Sequence, residues 1–392
     1  MLTSLALLFI LALFLGYISQ KLKLPTLIGI LTTGILLGPS VLNLLAPAIL
    51  DISLDLRKIA LIVILLRAGL SLNIYDLRKA GTATILMMFI PATFEIIGIT
   101  LTAPLLFDLS YLEAALLGSV IAAVSPAVVV PKMLHLMEEK YGTNKSIPQM
   151  ITAASSVDDV FVIVLFTLFT GSLLGRVDLI KTLIGLPSAI LLGLIIGAVC
   201  GYILSLYFKK KHLRDTNKVI IILSIAFLLL ALEQKLEAYV SISALLAIMT
   251  LGAAIFFFYP VLAKRLSLKF QKLWVGAEIL LFVLVGASVN LDYMHEAGVV
   301  ALAVIGIGLC CRMAGVFIAL SKSSLNNKEK LFCMIAYSPK ATVQAALASV
   351  PLSMGLPCGD IILTTAVVAI LITAPLGAIG MEQTYKKLLQ RE

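Results

Sequence analysis

Charge is the scarce component of this sequence. Asp, Glu, Lys and Arg make up 13% of its 392 residues, about half the share of an average soluble chain. That is too little polar material to cover a globule of this size. Cysteine is scarce as well. Five cysteines with no CxxC spacing exclude a disulfide scaffold and read as reduced, apolar side chains. Three histidines leave little basis for a histidine pH sensor. No phosphate-cradling loop occurs, and no motif asks for a cofactor. The net charge of +9 comes without the aromatic-interleaved basic patch that nucleic acid requires, so no nucleic-acid partner is expected. What the chain has in abundance is apolar sequence, 61% of residues, with a mean hydropathy of +1.10. This is the composition of an all-α polytopic membrane protein.

A helix needs ~20 residues to cross ~30 Å of hydrocarbon. That rule places about thirteen transmembrane helices, near 2–19, 24–45, 57–72, 81–107, 112–131, 148–174, 182–208, 218–234, 238–258, 273–289, 297–320, 330–354 and 359–381. The first lacks a basic leader and a small-x-small cleavage site, so it reads as a retained span. The loops support the count. One alternating set holds Lys21, Lys23, Arg78, Lys79, Lys132, Lys140, Lys145, Lys209, Lys210, Lys211, Arg214, Lys218, Lys264, Arg265, Lys269, Lys272, Lys322, Lys328, Lys330, Lys386, Lys387 and Arg391. The other holds only Arg57, Lys58, Arg176, Lys181 and Lys235. Basic loops face the cytoplasm. The N-terminus is therefore expected outside and the C-terminus in the cytoplasm of a plasma membrane or cell inner membrane.

Three basic residues remain, Arg67, Arg312 and Lys340, and all fall inside spans. So do Glu95, Asp158, Asp159 and Glu278. A charge at mid-bilayer costs at least ~2.5–3.5 kcal/mol on insertion scales, so each needs a partner or a water-filled path. The roles of Arg67 and Glu278, nearer the span ends, stay open.

The chain also repeats itself upside down. Gly-Leu-Ser-Leu-Asn at 69–73 matches Gly-Ala-Ser-Val-Asn at 286–290, and Ser125-Pro126 matches Ser338-Pro339. Glu95 matches Arg312 in depth. Each pair lies seven spans apart, an odd number, so the partners cross in opposite directions. Proline deletes a backbone donor and pushes its predecessor out of the helical region. Freed carbonyls survive in a membrane only where protein or a cavity meets them. Inverted repeats with two discontinuous crossing helices at mid-membrane are the expected architecture, with Ser125, Pro126, Ser338, Pro339 and Thr342 at the breaks. Pro91, Pro187 and Pro375 read as plain kinks.

Asp158-Asp159 stands in ITAASSVDDVFVIVLF. Neighbours on a helix point ~100° apart, so the two carboxylates face different partners. Lys340 follows Pro339, too deep to snorkel, and needs a counter-ion. A lysine-paired acid beside a free carboxylate makes a site for a hard cation such as Na+ or Li+. That carboxylate holds a cation or a proton, and competition between them is the simplest chemistry of exchange. Asp158 and Asp159 are thus the metal ligands expected for the transported ion. Glu95 and Arg312 read as a structural ion pair, with a proton relay as the alternative. A pair that neutralised only itself would survive exchange of the two side chains.

The Asp158-Asp159 pair, AAVSPAVVVPKM at 122–133, LLRAGLSLN at 65–73 and SPKATVQAAL at 338–347 resemble the sodium/proton antiporters of the second cation–proton antiporter family, of NhaA-type fold. The resemblance covers most of the chain. It implies a homodimer with a dimerisation domain (1–72 and 218–289), an ion-transporting core (81–174 and 297–381) and a linker helix (182–208), working by elevator-like alternating access. It implies that Asp159 is the main ion carrier, that Asp158 pairs with Lys340, and that the two-aspartate type is electrogenic. One departure stands out. The best-known member carries an acid at the first break, whereas this chain has none between Glu113 and Glu138 and offers Ser125.

Two other readings compete. A K+/H+ antiporter of the same fold would use the same carboxylates. An intramembrane aspartyl protease needs two aspartates on separate helices and a Gly-x-Gly-Asp motif. Here they are consecutive and the motif is missing.

Overall fold

The computed structural model describes residues 1–71, 81–174, 179–211, 213–236 and 242–392. Leu72 and Asn73 of the first repeat motif, and Arg78, Lys79 and Arg176 of the loop count, lie outside the described residues. So do the side chains of Lys181, Pro187 and His295.

The described residues are helical throughout, with no strand; an isolated antiparallel bridge joins Tyr141 and Arg391. The main helices are α1 (Leu2–Lys21), α2 (Thr26–Leu37), α3 (Ser53–Ser71), α4 (Gly81–Leu106), α5 (Tyr111–Ile121), α6 (Pro126–Glu138), α7 (Ile147–Leu173) and α8 (Leu179–Lys210). There follow α9 (Asp215–Leu236), α10 (Ala244–Phe258), α11 (Pro260–Ala287), α12 (Leu291–Ala319), α13 (Asn327–Ala336), α14 (Thr342–Leu347) and α15 (Gly359–Leu388). Among the described residues, nine helical stretches are long and apolar enough to cross a membrane, counting α5 and α6 as one. The remaining expected spans fall short of that standard for local reasons. α2 has 12 residues, about 18 Å of helix. α10 has 15 residues, the first half of α3 carries Asp55, Arg57 and Lys58, and the 330–354 stretch is broken.

The chain forms two compact units. One comprises residues 1–56, 79–163 and 279–392, the other 57–78 and 164–278. In the second, α8 lies against α10 along Gly193, Gly197 and Gly201. A Cβ on Gly197 would stand 2.3 Å from the Ala247 carbonyl oxygen. Small residues four apart let helix backbones approach this closely where no hydrophobic effect drives them together. Arg67 and Glu278 interact electrostatically within this unit, and the Trp274 side chain hydrogen-bonds Glu278.

In the first unit α4 packs along α12, and two helices are interrupted in the same way. α5 begins at a capping box, Ser110 with Glu113, runs 11 residues and stops before Pro126. α13 begins at a capping box, Asn326 with Glu329, runs 10 residues and stops before Pro339. Each box satisfies the free amides of the helix start, and each proline denies the backbone its next turn. The Ser125 amide donates to the Pro339 carbonyl at 2.8 Å, so the two interruptions touch.

The last residues are strapped across the turn between α6 and α7. The Gly142 amide donates to the Gln390 carbonyl at 2.8 Å, and the Glu392 amide to the Lys140 carbonyl at 2.9 Å. Tyr385 donates its hydroxyl to Glu139 at 3.0 Å, Thr143 donates to the Glu392 carboxylate at 2.7 Å, and Lys132 pairs with Glu382.

Candidate functional site

Everything at the site follows from the two breaks. When α5 stops at Ile121, the carbonyls of Ile121, Ala122 and Ala123 lose their helical partners. When α13 stops at Ala336, so does that of Tyr337. Buried backbone groups must be paired, and three side chains reach in to pair them. Gln344 donates its amide to Ile121 at 3.0 Å and Ala123 at 2.8 Å. Arg312, about two turns before the end of α12, donates Nε to the Tyr337 carbonyl at 2.7 Å and Nη1 to the Ala122 carbonyl. Lys340 Nζ also reaches Ala122, at 3.3 Å. Cations at helix C-termini complement the negative end of the dipole. Here two of them meet the ends of both half-helices.

The acids sit on the same cations. Arg312 Nη1 bonds Glu95 Oε2 at 2.9 Å and Arg312 Nη2 bonds Asp158 Oδ2 at 2.9 Å. Lys340 Nζ bonds Glu95 Oε2 at 2.6 Å. Asp158 Oδ2 also accepts the Val124 amide at 2.9 Å, inside the first break. All four charged side chains are at most 1% exposed. Two neighbours hold them in place. Thr373 Oγ1 accepts the Lys340 amide at 2.9 Å, and the Tyr337 ring lies 5.1 Å from the Arg312 guanidinium while its hydroxyl donates to Met87.

The pairing differs from the sequence expectation at one point. Lys340 makes its salt bridge with Glu95, and Asp158 is held by Arg312. The guanidinium prevails at Asp158 for a geometric reason. Its planar fork reaches two carboxylates and two carbonyls at once, whereas the ammonium concentrates its charge on one carboxylate oxygen. Glu95 and Arg312 are in contact as their matched depth suggests, but they are not an isolated pair. They are the centre of a four-residue network.

Asp159, the next residue, stands apart. It shares none of these bonds, and its buried Oδ1 has no partner. The same holds for Asp158 Oδ1, Ser125 Oγ, Thr342 Oγ1 and Gln344 Oε1. Ser125 immediately precedes α6 and Thr342 opens α14, both with their hydroxyls unpartnered. Gln344 was not singled out by its sequence. A neutral polar residue one turn beyond Lys340 was the only signal.

The description "Sodium/hydrogen exchanger, transmembrane" matches the chain over residues 9–387. Sodium/hydrogen exchanger 9B2 of Mus musculus is 32% identical over 383 residues, covering 94% of this chain and 69% of its own length. The chain belongs to the sodium/hydrogen exchanger family. Sodium/hydrogen exchanger 9B1 of Macaca fascicularis is 31% identical, covering 86% of this chain and 67% of its own length. In three dimensions the chain resembles the sodium proton antiporter MjNhaP1 of Methanocaldococcus jannaschii. The TM-score is 0.86 at 23% identity, covering 99% of this chain and 98% of that one. Membership makes the protein a multi-pass transporter rather than an enzyme, which removes the protease reading.

Proposed function

We propose that this protein exchanges Na+ or Li+ for protons by competition at Asp159, assisted by Asp158. The observation that carries the reading is the charge balance of the buried cluster. Glu95, Asp158 and Asp159 supply three negative charges, and Arg312 and Lys340 two positive ones. One negative charge is left over, and Asp159 is the one of these three acids that pairs with neither Arg312 nor Lys340 among the described residues. A monovalent hard cation or a proton balances it, and each excludes the other. The unpartnered oxygens of Asp158, Ser125 and Thr342 are the kind a desolvated Na+ or Li+ takes as ligands.

The proposal extends to architecture. Thirteen crossings in NhaA-type inverted repeats agree with the matched pair of capped, proline-broken helices and with the alternation of basic loops. The N-terminus lies outside and the C-terminus in the cytoplasm of a plasma or cell inner membrane. Two copies associate through a dimerisation domain of 1–72 and 218–289. Against it a core of 81–174 and 297–381 moves as an elevator, with 182–208 as the link. Exchange is electrogenic. Asp158 or Lys340, each in one ion pair where Glu95 and Arg312 are each in two, is the further titrating group that this charge movement needs.

Reconstituted vesicles with an internal pH dye test the core claim. Na+ or Li+ should discharge a pre-formed proton gradient, K+ should not, and Asp159→Asn should abolish the response while the protein still folds. Robust exchange by folded Asp159→Asn protein would falsify the carrier assignment, and an equal response to K+ would favour the potassium reading.

A further inference from the structure

We infer that the side-chain carbonyl of Gln344 is a ligand of the transported cation, and that it sets cation affinity independently of proton affinity. The inference rests on the exchange reading above and goes one residue beyond it. Gln344 is fully buried. Its Nε2 lies 3.0 and 2.8 Å from two backbone carbonyls, those of Ile121 and Ala123. Carbonyls only accept, so the amide cannot be turned round, and Oε1 is the atom left facing away from them. That oxygen is buried without a partner. A glutamine needed only to cap the end of α5 has no use for an orphaned carbonyl, and desolvating one is unfavourable.

The position of that oxygen gives it a use. Gln344 is pinned to Ile121 and Ala123, and Asp158 is pinned to Val124, in the same interruption. Ser125, the next residue, and Thr342, on the helix of Gln344, also hold unpartnered hydroxyl oxygens. Neutral amide and hydroxyl oxygens complete the shells of hard cations alongside carboxylates. They add no charge and bind no proton near neutral pH. A carboxylate ligand strengthens cation and proton together, whereas a neutral ligand strengthens the cation alone. Gln344 thus tilts the competition at Asp159 toward the metal.

The experiment compares Gln344→Met, Gln344→Glu and Asp159→Asn, reading the apparent Na+ and Li+ KM in vesicles and the Na+-induced rise in Tm of purified protein. Gln344→Met removes both the donor and the oxygen. Its Na+ KM should rise about tenfold or more, with the Na+-induced Tm rise reduced and the proton-binding midpoint extrapolated to zero Na+ unmoved. Gln344→Glu keeps an oxygen in the same volume and loses the donors. Its Na+ KM should stay at or below wild type. A lower Tm and slower turnover in Gln344→Met with an unchanged Na+ KM would make the residue a helix cap and overturn the inference. Should Gln344→Met fail to fold, Gln344→Glu decides alone, because a folded Glu variant with Na+ affinity weakened tenfold places the whole effect in the donors. Asp159→Asn separates the two levels. If Na+ still stabilises that variant, the exchange reading is wrong. If Na+ stabilisation is lost there but kept in Gln344→Met, only the role of Gln344 is wrong.

Discussion

Arg312 is the residue on which the most partners depend. It serves two carboxylates and two half-helix carbonyls, whereas Lys340 serves Glu95 and one of the same carbonyls. Removing one member of a buried ion pair costs about 3–5 kcal/mol. Arg312→Ala leaves Asp158 with the Val124 amide but no ion pair and should cost at least that. Lys340→Ala leaves Glu95 still held by Arg312, so about 1–3 kcal/mol is expected. Melting temperatures of the two purified variants check the ranking, and equal drops would refute it. The network also decides a charge exchange. Glu95→Arg combined with Arg312→Glu keeps two opposite charges but puts a carboxylate against the Tyr337 and Ala122 carbonyls and against Asp158. The double variant should be no more stable than either single, where an isolated pair would recover. The sequence makes half of this legible. Matched depth in inverted repeats brings Glu95 to Arg312, because depth is read from counting residues. Which acid takes Lys340 is not legible, because both Glu95 and Asp158 act on it and the choice depends on side-chain geometry across three helices and the second break.

Among elements, the broken helices are the most legible, since proline acts on its own neighbours whatever the tertiary context. Ser125-Pro126 and Ser338-Pro339 announce both interruptions, whereas the capping boxes that start the two halves appear only in the structure. Length is less legible. α2 and α10 read as full spans from composition, yet fold as 12 and 15 residues of helix, because an apolar run sets an upper limit and not an end point. The α8–α10 contact offers a direct test of helix packing. Gly197→Leu forces a Cβ to within 2.3 Å of the Ala247 carbonyl, and overpacking of this kind costs about 1–3 kcal/mol. Gly276→Ala in α11 meets no neighbour within 4 Å and relieves a helical glycine. It should be neutral or stabilising, by up to about 1 kcal/mol. Thermal melts of both variants in one detergent are the measurement; a stable Gly197→Leu protein would contradict the close approach.

For the whole molecule, competition at one carboxylate imposes a law on the kinetics. In the acidic limb each unit fall in pH should raise the apparent Na+ KM about tenfold while the maximal rate holds, because protons exclude the cation from Asp159 without changing the path. Initial rates in vesicles across a pH series give this directly. A falling maximal rate at constant KM would show that protons act elsewhere. Stoichiometry needs a second readout. With K+ and valinomycin setting the membrane voltage, an inside-negative potential should change the rate of an electrogenic exchanger and leave a one-for-one exchanger untouched. No voltage effect would assign the whole cycle to the single uncompensated charge, with Asp158 and Lys340 as spectators of the proton traffic.

The strap formed by the last residues has a mechanical meaning. Gln390 and Glu392 are fastened by main-chain bonds to Lys140 and Gly142. That turn is followed a few residues later by α7, the rod that carries Asp158 and Asp159. Main-chain bonds of this kind do not depend on which side chains are present, so the fastening tolerates substitution but not displacement. A load applied at residue 392 is therefore delivered first to the turn at the foot of the ion-carrying rod. Whatever holds the chain at Gln390 and Glu392 therefore acts on the N-terminal end of that helix, ahead of the carboxylates in its middle.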